Sequence, residues 1–440
     1  MSANSFGAGT SLRILLLIIQ FPPDVNSTGI LMSQLGEGLV ARGHKVSVVT
    51  TFPHYEHFRI EDGYRGKLFE RTTYKGMNVI HLWVYASGMK QRMIHRLFSY
   101  LSFNVLAAVT GILNRESYDV ILCTNGSFFT GLTASLIGLA KHLPCVYNVQ
   151  DLYPETPVAA GQLSNRRAIA TLAWFERLMY RTTTHISVIT PCFRDNIVAK
   201  GIGTENISVI PNFVDTEFIR PLPKANNFSR SQGLDDRFVV SHAGNIGYVY
   251  DLETMLEAAA LLRHEKNILF LLVGEGVAKQ ELQRKAETLQ LDNVRFLPYQ
   301  PREALPWLRA ASDIQVSLYK ANAARYSMPS KLYEIMASGR PVLASADRDS
   351  DVWNIVNGAG CGLCIEPGQA EQLANAVGLL YRDAGLRQEM SSRGRRLAED
   401  SYSKDAVVAA YEQLLRGVAA RMASATSSAG EAGWDAPGAR

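Results

Sequence analysis

Short apolar runs recur along this chain, and each closes on glycine, proline or polar residues before the next element begins. In the first half they are 12–19, 43–50, 118–124, 143–150, 185–190 and 207–211. In the second half they are 237–243, 268–273, 293–297, 313–318, 341–345 and 361–365. Runs of this length bounded by turn signals read as buried strands, with helical patterns between most of them. The repeated βα unit predicts the α/β class with parallel sheets. At 440 residues the chain exceeds the size at which one core stops growing, so two domains are expected. The expected division is a disordered start at 1–10, a first domain at 11–220, a linker at 221–235 and a second domain at 236–400. A closing helix at 401–420 and a disordered Ala/Ser/Gly tail at 421–440 complete it. Two such halves imply a cleft for a small ligand.

The totals exclude several classes. A net charge of +4 argues against a chain built to hold nucleic acid. The five cysteines are odd in number and lie apart in apolar surroundings, which suggests a reducing compartment. Cys361-Gly-Leu-Cys364 has CxxC spacing without a second pair or a nearby histidine, so a buried strand is the reading. Leu12–Ile19 contains Arg13 and runs into Gln20-Phe-Pro-Pro with no small-residue cleavage site, as a first strand would. No uninterrupted apolar stretch is a convincing membrane span. Residues 89–113 have another texture: Lys90, Arg92 and Arg96 precede a long apolar helix carrying Phe98, Tyr100 and Phe103. Such a segment lies on an anionic bilayer surface or packs on a sheet with a solvated basic end.

The stretch from Tyr326 to Ala344 carries the most chemistry. A polar loop leads through Pro329-Ser330-Lys331 into a helix that Gly339 ends, and Pro341 opens a strand. Ser327 or Ser330 is the expected cap. A helix start offers unpaired amides and partial positive charge; Lys331 adds a full charge, and Glu334 can accept bonds from hydroxyls. Amides, a cation and a carboxylate together suit a sugar nucleotide. An ordinary capped surface helix would read the same way. Gly244-Asn245-Ile246-Gly247 ends another strand and would let backbone approach a ligand, as would Gly274-Glu-Gly276. Asp151-Leu-Tyr-Pro-Glu155 follows the run 143–150, where a carboxylate either serves a site or caps the next turn. Asp349-Ser-Asp351 reads as a helix cap rather than a metal motif.

Taken together these residues resemble the family 4 retaining glycosyltransferases, over about residues 12–417. The landmarks are the Gly29 loop, Arg42-Gly-His-Lys-Val46, Ile210-Pro-Asn-Phe-Val-Asp215, Gly244-Asn-Ile-Gly247, Val273-Gly-Glu-Gly276, Val294-Arg-Phe-Leu297 and Glu334 to Leu343. The branch it looks most like makes bacterial exopolysaccharide, colanic acid or O-antigen. The resemblance implies the GT-B architecture of two facing Rossmann-like domains, with the C-terminal helix crossing back. It implies transfer from a nucleoside-diphosphate sugar to a saccharide acceptor, itself lipid-linked, at the cytoplasmic face of the membrane. Segment 89–113 would make the membrane contact. No cofactor and no metal are expected.

On the same resemblance, Glu334, Lys331 and Asp151 are the catalytic candidates. Gly244, Asn245, Gly247, Gly274, Ser330, Lys331, Glu334 and Arg325 would bind the donor, and Gly29, Asp151 and Glu155 would serve the acceptor side. Three positions depart from the family pattern. Tyr326 stands where many relatives keep a glutamate, and Asn245 and Tyr250 stand where an arginine and a lysine are usual. Lys331, with Arg325 second, is then expected to supply the missing phosphate-binding charge. An inactive nucleotide-sugar binder and a nucleotide-sugar epimerase of the same fold are the rival readings.

Overall fold

Two separate sheets hold the apolar runs. The computed structural model describes residues 10–24, 26–89, 92–127, 129–159, 163–323 and 328–431. The expectation for residues 1–9 lies outside them. The chain divides into two compact units, one gathering described residues of Met1–Tyr153, Asn165–Pro211 and Val407–Arg440, the other those of Pro154–Ser164 and Asn212–Ala406.

The first unit contains strands β1 (Arg13–Leu17), β2 (Lys45–Thr51), β3 (Phe69–Tyr74), β4 (Met77–Leu82), β5 (Val120–Thr124), β6 (Cys145–Val149), β7 (His185–Val188) and β8 (Ile207–Val209). Their order is β3-β4-β2-β1-β5-β6-β7-β8. All neighbours pair in parallel except β3 with β4. Strand β1 is central, with Leu15 opposite Ser47 on one side and Ile121 on the other. Ile14 to Leu17 are buried, as a strand covered on both faces requires. Strand order reverses between β1 and β5, and ligands bind beyond the carboxyl ends at such a switch point.

The second unit contains β9 (Phe238–Ala243), β10 (Ile268–Val273), β11 (Val294–Leu297), β12 (Ile314–Leu318), β13 (Val342–Ser345) and β14 (Gly362–Ile365), in the order β11-β10-β9-β12-β13-β14. Every neighbouring pair is parallel. Its switch point lies between β9 and β12. Val240, Phe270, Leu272, Val316 and Leu343 belong to the core on which helices Leu252–Leu261 and Ala370–Arg382 pack.

Several local expectations are corrected. The β3–β4 hairpin was not expected, although its turn, Lys75 (φ 48°) and Gly76 (φ 79°), is the two-residue positive-φ type that matches strand twist. The helix after β1 begins at Ser27, before Gly29, because the Asn26 side chain accepts from the Gly29 amide at 2.9 Å. An unforeseen helix occupies Ala384–Ser401. The last helix, Lys404–Glu431, continues past the point where a disordered tail was expected, and alanine, the strongest helix former, recurs through that extension. Residues 432–440 lie outside the described residues.

The long apolar segment forms helix Met93–Leu113. By length and composition alone its stretch Ile94–Leu113 could cross a membrane, a test that the core helix of a soluble protein also passes. One side packs into the first unit: Phe103 and Ala107 are buried, and the Asn104 amide donates to Ser127 Oγ at 2.6 Å. The other side is exposed at Ile94, Leu97, Phe98, Leu101, Val105, Val109 and Ile112.

Candidate active site

At the second unit's switch point, β9 runs into Gly244 and β12 into Tyr319. Gly244 has φ 141°, and its carbonyl oxygen would lie 1.9 Å from a Cβ on Gly274. A Cβ on Gly276 would lie 2.2 Å from the Ile246 carbonyl oxygen. Gly274 therefore serves by letting the 244–247 loop seat, and the loop stays available for close backbone approach.

Helix Ser330–Ala337 starts beside this loop. Pro329 is its N-cap, with extended geometry and no side-chain cap bond. The expected Ser330 cap is corrected: Ser330 is already helical and exposed, so its hydroxyl does not close over the first amides. Ser327, Arg325 and Tyr326 lie outside the described residues. At the other end Gly339 adopts φ 63° and stops the helix as expected.

Lys331 is buried, 9% exposed, and its Nζ has no hydrogen-bond partner among the described residues. The ammonium sits 3.7 Å from the centre of the Tyr250 ring and would lie 3.6 Å from a Cβ on Gly244. Burial pulls its pKa down to about 7, with Arg309 adding to the effect and Glu334 opposing it. The full charge expected at this position thus depends on pH. One turn on, Glu334 accepts a bond from the Arg309 guanidinium, and its side chain remains 31% exposed. Arg309 is buried and also donates to Gln315 Oε1 at 2.6 Å. Buried His242 donates from Nε2 to the Asn245 carbonyl at 3.2 Å and is held neutral by burial, with Lys331 adding to the effect.

Sequence reasoning missed Arg309, His242 and the positive side of Tyr250. Arg309 had a signal: an arginine amid Leu308, Ala310 and Ala311 in a helix is rarely buried without a partner.

In the first unit the β1/β5 switch point opens a cavity of about 160 Å³ lined by Gln20, Asn26, Thr28, Arg96, Asn125 and Asp151, among others. A neighbouring cavity of about 330 Å³ shares Gln20, Tyr55, Arg96 and Tyr100 with it. Asn125 fixes the turn that carries Asp151, donating to its carbonyl at 2.5 Å and accepting from the Gln150 amide at 2.9 Å. Burial raises the Asp151 carboxyl above its usual pKa. Arg96 Nη2 donates to the Tyr100 hydroxyl at 3.3 Å. Gly29 would meet the Gln20 carbonyl oxygen at 2.6 Å with any Cβ, so it lets the helix start pack on the β1 exit. Glu155 opens the short helix Glu155–Ala159, which groups with the second unit, apart from Asp151. Ser350, of Asp349-Ser-Asp351, caps the helix Asp351–Ala359 through the Trp353 amide. Cys361 and Cys364 are free thiols flanking and within β14.

Two α/β units, each with polar residues at a switch point, have the architecture of the GT-B glycosyltransferases. The chain belongs to the family 4 glycosyltransferases: residues 29–212 match the glycosyl transferase 4-like domain and residues 224–397 the glycosyl transferases group 1 model. It is similar to WcaI of Escherichia coli (strain K12), a glycosyl transferase named for colanic acid biosynthesis, at 25% identity over 92% of this chain and all of that one. LpsE of Rhizobium meliloti (strain 1021), a lipopolysaccharide core biosynthesis glycosyltransferase, is 27% identical over 54% of this chain and 66% of its own length. The fold is that of Anabaena Alr3699/HepE, solved with UDP, at a TM-score of 0.71 and 16% identity over 92% of this chain and all of that one.

Proposed function

We propose that this glycosyltransferase moves a sugar from a nucleoside diphosphate to a lipid-linked saccharide, with retained anomeric configuration, during assembly of a bacterial surface polysaccharide. The observation that carries the donor reading is the convergence of the Gly244 loop, a helix start without a side-chain cap, Lys331 and Glu334 at one switch point. Loop and helix amides with Lys331 face the diphosphate and stabilise the charge that develops as the glycosidic bond breaks. Glu334, with Arg309 on one oxygen, accepts from the ribose hydroxyls. The acceptor hydroxyl attacks from the face the diphosphate leaves; the C1–O bond to phosphate breaks, the C1–O bond to acceptor forms, and the proton passes to the leaving phosphate oxygen. No resident metal is invoked, because amides and Lys331 carry the neutralising charge. UDP bound to HepE supports a nucleotide in this fold.

On the acceptor side, Asp151 and Arg96 line one polar cavity. The exposed stripe from Ile94 to Ile112 supports contact with the cytoplasmic membrane surface, where a lipid-linked acceptor would be met. The test is a thermal-shift screen of UDP-, GDP-, ADP- and dTDP-sugars, followed by product analysis with lipid-linked and soluble acceptors. A true donor at a hundredfold excess over Kd adds about 2.7 kcal/mol of stability. Its sugar should appear on the lipid-linked acceptor with the donor's anomeric configuration, and Asp151→Asn should lower turnover at least tenfold. Binding without transfer, sugar inversion without an acceptor, or a product of opposite configuration would each overturn the reading.

A further inference from the structure

Tyr250 occupies a position where a family 4 chain often carries a lysine, yet it is not simply a lost cation. Its ring sits at the switch point of the second sheet, 5.2 Å from the ring of buried Tyr319 and 5.5 Å from that of buried His242. A backbone bridge pairs Tyr250 with Tyr319, so the loop after β9 is tied to the end of β12. The Lys331 Nζ lies over the same ring, 3.7 Å from its centre. A desolvated ammonium over an aromatic face gains attraction from the ring quadrupole without a counter-charge. The ring is thus ready to receive the protonated form of an Nζ that has no hydrogen-bond partner among the described residues.

We propose that Tyr250 is the positioning residue that holds Lys331 against the Gly244 loop, and that binding of the donor diphosphate there draws a proton onto Lys331. This rests on the donor reading given above. Among the described residues the groups facing Lys331 are Tyr250 from the loop after β9, His242 from β9, Arg309 from helix Leu305–Ala310 and Glu334 from its own helix. His242 stays neutral near neutral pH, since burial holds its pKa well below 6.5. Arg309 and Glu334 are paired with each other. Lys331, with a pKa of about 7, is therefore the group that changes charge in this cluster between pH 6 and pH 9. Above pH 7 it is mostly neutral, and an anion placed at the Gly244 loop restores its proton. The device keeps an unpaired positive charge out of the core and supplies it when a diphosphate arrives.

The experiment is isothermal titration of the full chain with UDP, GDP and ADP at pH 8.5, in buffers of different ionisation enthalpy. Phosphate second ionisation falls at about pH 6, so the nucleotide takes up no proton at that pH. The wild type should bind one of the three with uptake close to one proton, and affinity should fall as pH rises above 7. Lys331→Met should abolish the uptake and weaken binding at least tenfold. Tyr250→Phe keeps the ring and should behave as wild type. Tyr250→Leu should weaken binding about tenfold and steepen the loss of affinity above pH 7; melting curves confirm that the variants are folded. Wild-type affinity and uptake in Tyr250→Leu, or undiminished uptake in Lys331→Met, would overturn the inference while leaving the donor reading intact. Failure of the wild type to bind any of these three or a sugar nucleotide would sink the donor reading itself.

Discussion

Arg309 illustrates how one residue ties fold to chemistry. Its guanidinium is 3% exposed and reaches both Glu334 and Gln315, so it orients the Glu334 carboxylate. Removing a buried partner strands the remaining charge, at a cost of about 3–5 kcal/mol for a fully buried pair. Glu334 is 31% exposed, so water relieves part of that cost. Arg309→Met should therefore destabilise the chain by about 2–3 kcal/mol, read as a shift in the urea midpoint. Glu334→Gln, which keeps the shape, should cost less stability and more donor affinity. Equal stability losses in both variants would show that the pair is structural only.

At the scale of elements, helix Met93–Leu113 has one buried face and one exposed face. Phe103, Asn104 and Ala107 bind it to the first unit, while Leu97, Leu101 and Val105 project outward at the spacing of successive turns. Arg96 sits near its start and lines the polar cavity that contains Asp151. Leu97→Asp with Leu101→Asp and Val105→Asp should leave the melting temperature nearly unchanged, because these side chains are exposed. The same variant should lose flotation with vesicles of anionic phospholipid and lose turnover of a lipid-linked acceptor. Turnover of a soluble acceptor should persist. Unchanged flotation would overturn the membrane contact proposed for this helix.

The whole molecule carries a further electrostatic consequence. His44, His81, His185 and His242 are buried, and burial lowers the pKa of each below its ordinary value of 6.5. For His185 the folded value is about 4. The unfolded chain therefore binds more protons than the folded one below pH 6.5, and stability falls as the solution is acidified from there toward pH 4. Urea midpoints should decline across that interval, beginning above about pH 5 where most carboxylates are still ionised. His185→Asn, keeping a polar contact toward Ser208, should flatten part of the decline. A midpoint that is flat from pH 6.5 to 4 would contradict this. The C-terminal helix also acts at this scale. Tyr411 accepts from Asn148 at 2.8 Å and meets Ser187 at 3.1 Å, so the chain's end completes the core of the unit where the chain begins.

What could be read in advance follows from locality. Runs such as Ile14 to Leu17 or Ile268–Val273 are apolar over their whole length, and only a strand covered on both faces buries them all; hence the α/β class and nearly every strand were legible. The Gly339 stop was legible too, since a residue in a left-handed turn after a helix is local information. The β3–β4 hairpin, exposed on its outer strand, lacked the apolar run and was missed. The helix start with Lys331 and Glu334 could be named from its own residues, but its electrical state could not. That state depends on Tyr250, His242 and Arg309, which lie 81, 89 and 22 residues from Lys331 by their numbers in the chain. Only the parallel pairing of β9 with β12 at the centre of one sheet brings them together, and burial there pulls the pKa of the lysine down to about 7.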